Sequence, residues 1–142
     1  MSTSLHPFFR LEVSTRPRFA STRAQALARA IAALGIHGVT SLRVCDLYFL
    51  QGDLDATTLD RLAQVVLCDP VTEQARLTPL ADGQGAPPDG QYIIEVALHP
   101  GVTDSVAESL LDAARLLDIR GLRHAATGQQ VDLQPPSYVI TS

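Results

Sequence analysis

The sequence repeats itself at a spacing of 83 residues, and this repeat restricts the possible folds more than any other feature. The stretch 10–44 aligns on the stretch 93–127 without a gap, so that Glu12 matches Glu95 and Gly38 matches Gly121. Such self-similarity indicates that one structural unit recurs along the chain. We interpret it as an internal duplication, so the two copies should share one arrangement of strands and helices.

Each copy is predicted to form a strand, a helix and a second strand. Apolar and polar residues alternate over 9–13 and over 92–98, which is the period of a half-buried strand. A proline turn then leads into an amphipathic helix that a polar residue can cap. Both helices should end near a glycine, Gly38 or Gly121, which can turn the chain into the next strand. The candidate caps are Ser21 or Thr22 and Thr103 or Asp104, and the predicted apolar stripes are Leu27, Ile31 and Leu34 in the first copy and Val106, Leu110, Ala113 and Leu117 in the second.

Only the first copy is predicted to contain further elements after its second strand. Asp55 can cap a further helix, and the stretch 71–77 alternates as a third strand. The chain is therefore predicted to divide into a complete unit (1–80), a Gly/Pro-rich linker (81–91) and a second, incomplete unit (92–142) that ends in a short strand. The order of elements predicts an α+β fold, in which duplicated β-α-β units pack their helices on one face of an antiparallel sheet.

Charge and composition argue against nucleic-acid and membrane partners. The formal net charge is −4, whereas a nucleic-acid-binding domain of this size is usually basic. No apolar run approaches the roughly 20 residues that span a bilayer, and we expect a cytoplasmic protein. The two cysteines, Cys45 and Cys68, lack metal-ligand spacing and are expected to be reduced thiols in the core.

The sequence offers little catalytic chemistry. The corner HPGVTD (99–104) precedes a helix and could bind a phosphate, but Asp104 and Glu108 would repel an anion, which favours a capped strand-to-helix corner. We interpret Glu12 and Glu95 as residues on an outward strand face. No nucleophile motif is present, and the histidines are scattered: His6, His37, His99 and His124. We therefore expect no catalytic residue, cofactor site or metal site in this chain.

The first copy resembles the PurS family, the small subunit of phosphoribosylformylglycinamidine (FGAM) synthase. The likeness covers about residues 8 to 134 and departs from the family where Cys45 and Asp46 replace a Gly-Lys pair. The stretches that carry it are GVTSLRV (38–44), VVLCDPVTEQARL (65–77) and, in the second copy, HPGVTDSVAES (99–109), which is similar to a corner of the larger synthases.

The resemblance implies a non-catalytic function in de novo purine biosynthesis. A PurS-like module supports the assembly of the glutaminase and ATP-dependent synthetase parts of the synthase, a glutamine-dependent ligase, and the transfer of ammonia between them. ATP, magnesium and glutamine would be used by those partner parts, and this chain would bind no cofactor. We also expect a homo-oligomer. The predicted interface with partner subunits consists of Arg43, Tyr48, Phe49 and Leu50.

Two alternatives stay open at the level of sequence. A small-molecule-binding regulatory module could use the two related corners, around Pro17 and Pro100, if they face each other between the repeated β-α-β units. An enzyme in its own right is the third possibility, and it predicts turnover of ATP or glutamine by the isolated chain.

Overall fold

A computed structural model describes residues 8–78, 91–99 and 101–134. The five strands in these ranges form one antiparallel sheet in the order β3-β1-β2-β5-β4, accompanied by three α-helices. The prediction of an α+β fold with an antiparallel sheet is therefore confirmed. In chain order the elements are β1 (Phe8–Thr15), α1 (Thr22–Ala33), β2 (Ser41–Gly52), α2 (Ala56–Leu62) with a π-helical segment (Ala63–Leu67), β3 (Glu73–Thr78), β4 (Tyr92–Ala97), α3 (Ser105–Leu116) and β5 (Leu122–Gln134).

The two β-α-β segments have matching bounds and matching strand registers. Helices α1 and α3 each have 12 residues, and their first residues are separated by the 83-residue spacing of the repeat. Val13 of β1 lies opposite Asp46 of β2, and the equivalent Val96 of β4 lies opposite Gln129 of β5. Asp46 and Gln129 are themselves equivalent and lie opposite each other where β2 pairs with β5. An approximate two-fold axis therefore passes through this pair.

Local chemistry explains where the equivalent helices begin and end. Ser21 Oγ accepts a hydrogen bond from Ala24 N at 3.2 Å, and Asp104 Oδ1 accepts one from Ala107 N at 2.9 Å. Each side chain satisfies a backbone donor that the first helical turn leaves without a partner. After the last turn the chain passes through a left-handed residue, at Gly35 (φ +84°) and at the equivalent Asp118 (φ +54°).

The predicted apolar stripes are only partly correct. Leu34, the C-cap residue of α1, is 78% exposed, and α1 contains no fully buried residue. Val106 is 53% exposed, and α3 buries Ala107, Leu110 and Ala114 instead. Residues adjacent in a helix are about 100° apart around its axis, so a small rotation of α3 changes which of them meets the sheet.

One face of the sheet, the helix face, packs against the helices and holds the hydrophobic core. Leu50 and Leu62 are completely buried there. Burial of such side chains is the main stabilising contribution to a domain of this size. The buried cluster consists of Leu11, Leu50, Leu54, Leu59, Leu62, Leu110, Ala114 and Ile119.

The opposite face of the sheet also has a buried part, in which charged and polar side chains around Arg10 lie beside the apolar Cys45 and Leu47. The Arg10 side chain is 3% exposed, and its guanidinium donates to Glu12 Oε1 at 2.6 Å and to Thr78 Oγ1 at 2.8 Å. It also donates to Gln130 and, at 2.8 Å, to Glu95 Oε1. The expected outward position is wrong for Glu12, which is 3% exposed, because the charge of Arg10 neutralises it inside the protein.

These contacts indicate that the sheet curls towards the face that carries Arg10, which we call the concave face. Adjacent strands are ~4.8 Å apart, so β1 and β4 would be separated by about 14 Å in a flat sheet. Arg10 of β1 nevertheless contacts Glu95 of β4 directly, across β2 and β5. The curl also accounts for the burial of Ser14 and Gln130 on a face that the helices do not cover.

Replacement of Arg10 by methionine should destabilise the fold strongly. Glu12 would stay buried with Arg76, whose Nη2 lies 3.4 Å from Glu12 Oε2, as its one remaining ion-pair partner among the described residues. The expected loss is about 3–5 kcal/mol of unfolding free energy, measured by urea denaturation.

Two variants give this experiment its controls. Arg10→Met combined with Glu12→Leu should recover most of the loss, because no buried charge is then left without its partner. Arg120→Met removes an exposed ion pair with Asp118 and should cost at most about 1 kcal/mol. Equal losses for Arg10→Met and Arg120→Met would contradict a central role for Arg10.

Candidate functional site

Arg43, a predicted interface residue, lies on the concave face and is anchored by both neighbouring strands. Its Nη2 donates to Ser14 Oγ of β1 at 2.8 Å, and its Nη1 lies 3.6 Å from Asp132 Oδ2 of β5. Gln130 Nε2 donates to the other carboxylate oxygen of Asp132 at 2.8 Å. The Arg43 side chain remains 42% exposed. It therefore presents a positive charge to solvent in an orientation that β1 and β5 determine.

Strand alternation separates the four predicted interface residues into two pairs. Arg43 and Phe49 share the concave face, because side chains two residues apart in a strand point the same way. Tyr48 and Leu50 belong to the helix face, where Leu50 is completely buried and Tyr48 packs against the core. The fold thus brings Arg43 and Phe49 to one surface and Tyr48 and Leu50 to the other. A role at an interface stays a prediction for all four.

A charged pair that the sequence analysis missed lies on the helix face. Arg23 of α1 donates from Nη1 to both carboxylate oxygens of Asp46, at 2.9 and 2.8 Å. Next to this pair, burial raises the pKa of the Tyr48 phenol to about 12, and the carboxylates of Asp46 and Glu73 contribute further. The available signal was a single carboxylate, Asp46, within the largely apolar strand β2. Its partner could not be inferred because only folding brings α1 and β2 together.

Two cavities open at the repeat-related corners, and Asp46 contributes to both. The first has a volume of about 350 Å³ and lies at the start of α1, and the second has about 460 Å³ and lies at the start of α3. The first contains the charged side chains of Arg23, Asp46 and Glu73, together with the hydroxyl groups of Ser21, Thr22 and Thr72. The second is more apolar, with Leu47, Val96, Leu98 and Val106 beside Asp104 and Thr127.

The corner at the start of α3 is held by Asp104. Besides capping the helix, its carboxylate accepts from Thr127 N at 2.7 Å and from Thr127 Oγ1 at 3.0 Å. Burial opposes ionisation, but the hydrogen bonds from Ala107 and Thr127 together outweigh it and lower the pKa of Asp104. The helix N-terminus therefore already interacts with an anionic group of the chain itself, as the sequence predicted.

The thiols are buried and weakly acidic. Burial raises the pKa of Cys68 to about 11, and it also raises the pKa of Cys45, although Arg43 opposes that shift. Within residues 8–78, 91–99 and 101–134, no group of three or more His, Cys, Asp or Glu side chains could hold a metal ion. In the same ranges, none of the helices has the length and apolar character needed to cross a membrane.

The chain was compared with protein-family models, with curated proteins and with solved structures. None of the three comparisons gives a match.

The two equivalent caps should differ in their contribution to stability. Asp104→Ala removes the cap of α3 and both bonds from Thr127, with an expected cost of about 2 kcal/mol, whereas Ser21→Ala removes one bond and should cost about 1 kcal/mol. Urea denaturation of both variants measures the difference. Equal costs would contradict the link between Asp104 and β5.

The contribution of Asp104 should also depend on pH. Because the pKa of its carboxyl is lowered in the folded chain, the stabilisation is fully present above the pKa of the unfolded chain and is lost as the pH falls through the folded value. The difference in unfolding free energy between the wild type and Asp104→Asn should therefore shrink below about pH 4. A difference that stays constant with pH would contradict this assignment.

Proposed function

We propose that this chain is a non-catalytic, PurS-like module of FGAM synthase in de novo purine biosynthesis. In the cytoplasm it would support the assembly of the glutaminase and ATP-dependent synthetase parts, and with it the transfer of ammonia. ATP, magnesium and glutamine would be consumed by those parts, while the module would contribute binding surfaces.

The equivalence of the two halves is the observation that supports this proposal most. The β1–β2 and β4–β5 pairs share one register, displaced by the repeat spacing, and α1 and α3 have equivalent bounds. A duplicated PurS-like unit accounts for both agreements, since duplicated sequences retain strand lengths and turn positions together. It also accounts for the presence of α2 and β3 after the first β-α-β segment.

The chemistry of the concave face also supports binding. Its cations interact with carboxylates of the same sheet: Arg10 with Glu12 and Glu95, and Arg43 with Asp132. Charges that are held in place by their own sheet form a fixed pattern that a partner protein can complement. Arg43 is an exposed cation of this face, and the half-buried ring of Phe49 lies on the same face.

Co-expression with an FGAM synthetase and its glutaminase tests the proposal. We expect the three chains to elute as one complex from gel filtration. Glutamine-dependent synthesis of the amidine should fall strongly when this chain is omitted, while synthesis from added ammonia should persist. Separate elution of the three chains, with unchanged glutamine-dependent activity, would contradict the proposal.

Charge reversal tests the contribution of Arg43. Arg43→Glu should weaken the complex, because it inverts one of the exposed charges of the concave face. Arg115→Glu is the matched control, since Arg115 is 74% exposed on α3 and should leave assembly unchanged. Urea denaturation of both variants separates a lost interface from a lost fold. An intact complex with Arg43→Glu would exclude this residue from the interface.

A small-molecule-binding regulatory module is the second candidate, and the two corner cavities favour it. Both cavities include Asp46, beside the approximate two-fold axis, and their volumes are sufficient for an amino acid or a nucleoside. The carboxylates of Asp46, Glu73 and Asp104 favour ligands that carry an ammonium group over phosphate-bearing ones.

Thermal denaturation with a panel of amino acids and nucleotides separates the two candidates. A module of the synthase should unfold at the same temperature with each compound, whereas a sensor should be stabilised by several degrees by one of them, since a ligand that binds only the folded state raises its stability. Asp46→Asn should abolish such a shift. A shift that survives this change would place the ligand outside the two cavities.

A further inference from the structure

Strand β4 is exposed where its structural equivalent is buried. Leu11 and Val13 of β1 are 3% and 2% exposed, while the equivalent Ile94 and Val96 of β4 are 49% and 56% exposed. The difference arises because β3 pairs with the outer edge of β1 and Leu59 and Leu62 of α2 join Leu11 in the core. Among the described residues, β4 pairs with β5 alone.

The outer edge of β4 lacks the features that normally prevent edge strands from pairing. Natural edges carry prolines, bulges or charged side chains, particularly lysines. The sequence of β4, YIIEVA, contains one charged residue, Glu95, and its carboxylate already pairs with Arg10 at 2.8 Å. Five of its six residues are apolar or aromatic, and all six are exposed. An unprotected, apolar edge of this kind is suited to pairing with another strand.

We infer that β4 pairs with β4 of a second copy of this chain, antiparallel and about a two-fold axis at Ile94. In this register Ile94 lies opposite Ile94 of the second copy, and Tyr92 lies opposite Val96 of the second copy on the helix face. Aromatic and β-branched residues are favourable cross-strand neighbours. On the concave face, Ile93 lies opposite Glu95 of the second copy, so the two carboxylates do not face each other.

The other registers in which two copies of β4 could pair are less favourable. Centring the axis on Glu95 would place two carboxylates directly opposite each other, which is destabilising. Centring it on Ile93 would shorten the paired segment, because β4 begins at Tyr92. An axis between two residues would pair the helix face of one copy with the concave face of the other. Pairing at Ile94 uses most of the strand and avoids repulsion.

An apolar cleft beside this edge extends the surface that a second copy would cover. It has a volume of about 400 Å³ and lies between α1 and the helix face of β4 and β5. Its lining is entirely apolar: Leu27, Ile31, Ile36, Val39, Tyr92, Ile94, Val131 and Leu133. The neutral lining agrees with a second copy of the same surface, because two such surfaces carry no charges that repel each other. This inference depends on β4 and its surroundings and not on the proposed function.

Light scattering of the purified full chain after gel filtration tests the inference. The wild type should have the mass of two chains. Tyr92→Lys should have the mass of one chain, with association weakened at least about tenfold, because each interface would bury two unpaired ammonium groups against Val96. Tyr92 is 60% exposed in the single chain, so this variant should fold normally.

A second change in the same chain tests the register itself. Tyr92→Lys combined with Val96→Glu should restore the dimer, since each new ammonium group would lie opposite a new carboxylate of the other copy. The control Leu116→Lys makes a similar change on α3, at a site that is 87% exposed, and should stay dimeric. A monomeric wild type, a dimeric Tyr92→Lys variant or a double variant that stays monomeric would each overturn the inference.

Discussion

The buried guanidinium of Arg10 is the interaction on which the shape of the sheet depends. A charge with 3% exposure is tolerated only when it is neutralised and hydrogen-bonded, so the partners of Arg10 must hold their positions. Those partners come from β3, β1, β5 and β4. One side chain therefore connects both edges of the sheet across its concave face. Because helices cover the other face, the protein has two interiors, one mainly of leucines and one in which paired charges lie beside the buried Cys45 and Leu47.

The two halves of the chain have similar backbones, but their equivalent strands β1 and β4 have different surroundings. Both halves share strand registers and helix bounds, yet β1 is enclosed by β3 and by the core, while β4 pairs with β5 alone among the described residues. Glu95 is affected most directly. It is equivalent to the buried Glu12, but its side chain is 43% exposed because no further strand was found beside β4 in the described part of the chain. The same backbone geometry thus produces a closed edge in one half and a binding edge in the other.

The sequence predicted those features that depend on neighbouring residues. Alternation located the strands, and hydroxyl or carboxylate side chains limited the helix starts to Ser21 or Thr22 and to Thr103 or Asp104, of which Ser21 and Asp104 are the caps. It could not predict the contact between Arg10 and Glu95, because their strands are not adjacent and meet only through the curl of the sheet. For the same reason Glu12 was expected to face solvent. For the candidate interface residues, the face of the sheet was predictable. Alternation along β2 alone places Arg43 and Phe49 on one face and Tyr48 and Leu50 on the other.

The approximate two-fold axis also helps to weigh the two proposed functions. A ligand held between the repeats would be expected to use both corners alike, as symmetric sites do. The corners differ, however, because Arg23 on α1 binds Asp46 while the equivalent residue on α3 is Val106. Asp46 itself lies opposite the neutral Gln129, so the Arg23–Asp46 ion pair has no counterpart across the axis. The two halves thus keep their symmetry in strand register but lose it at the cavities. This combination agrees better with a module whose backbone and edges contact other chains than with a pair of equivalent ligand sites.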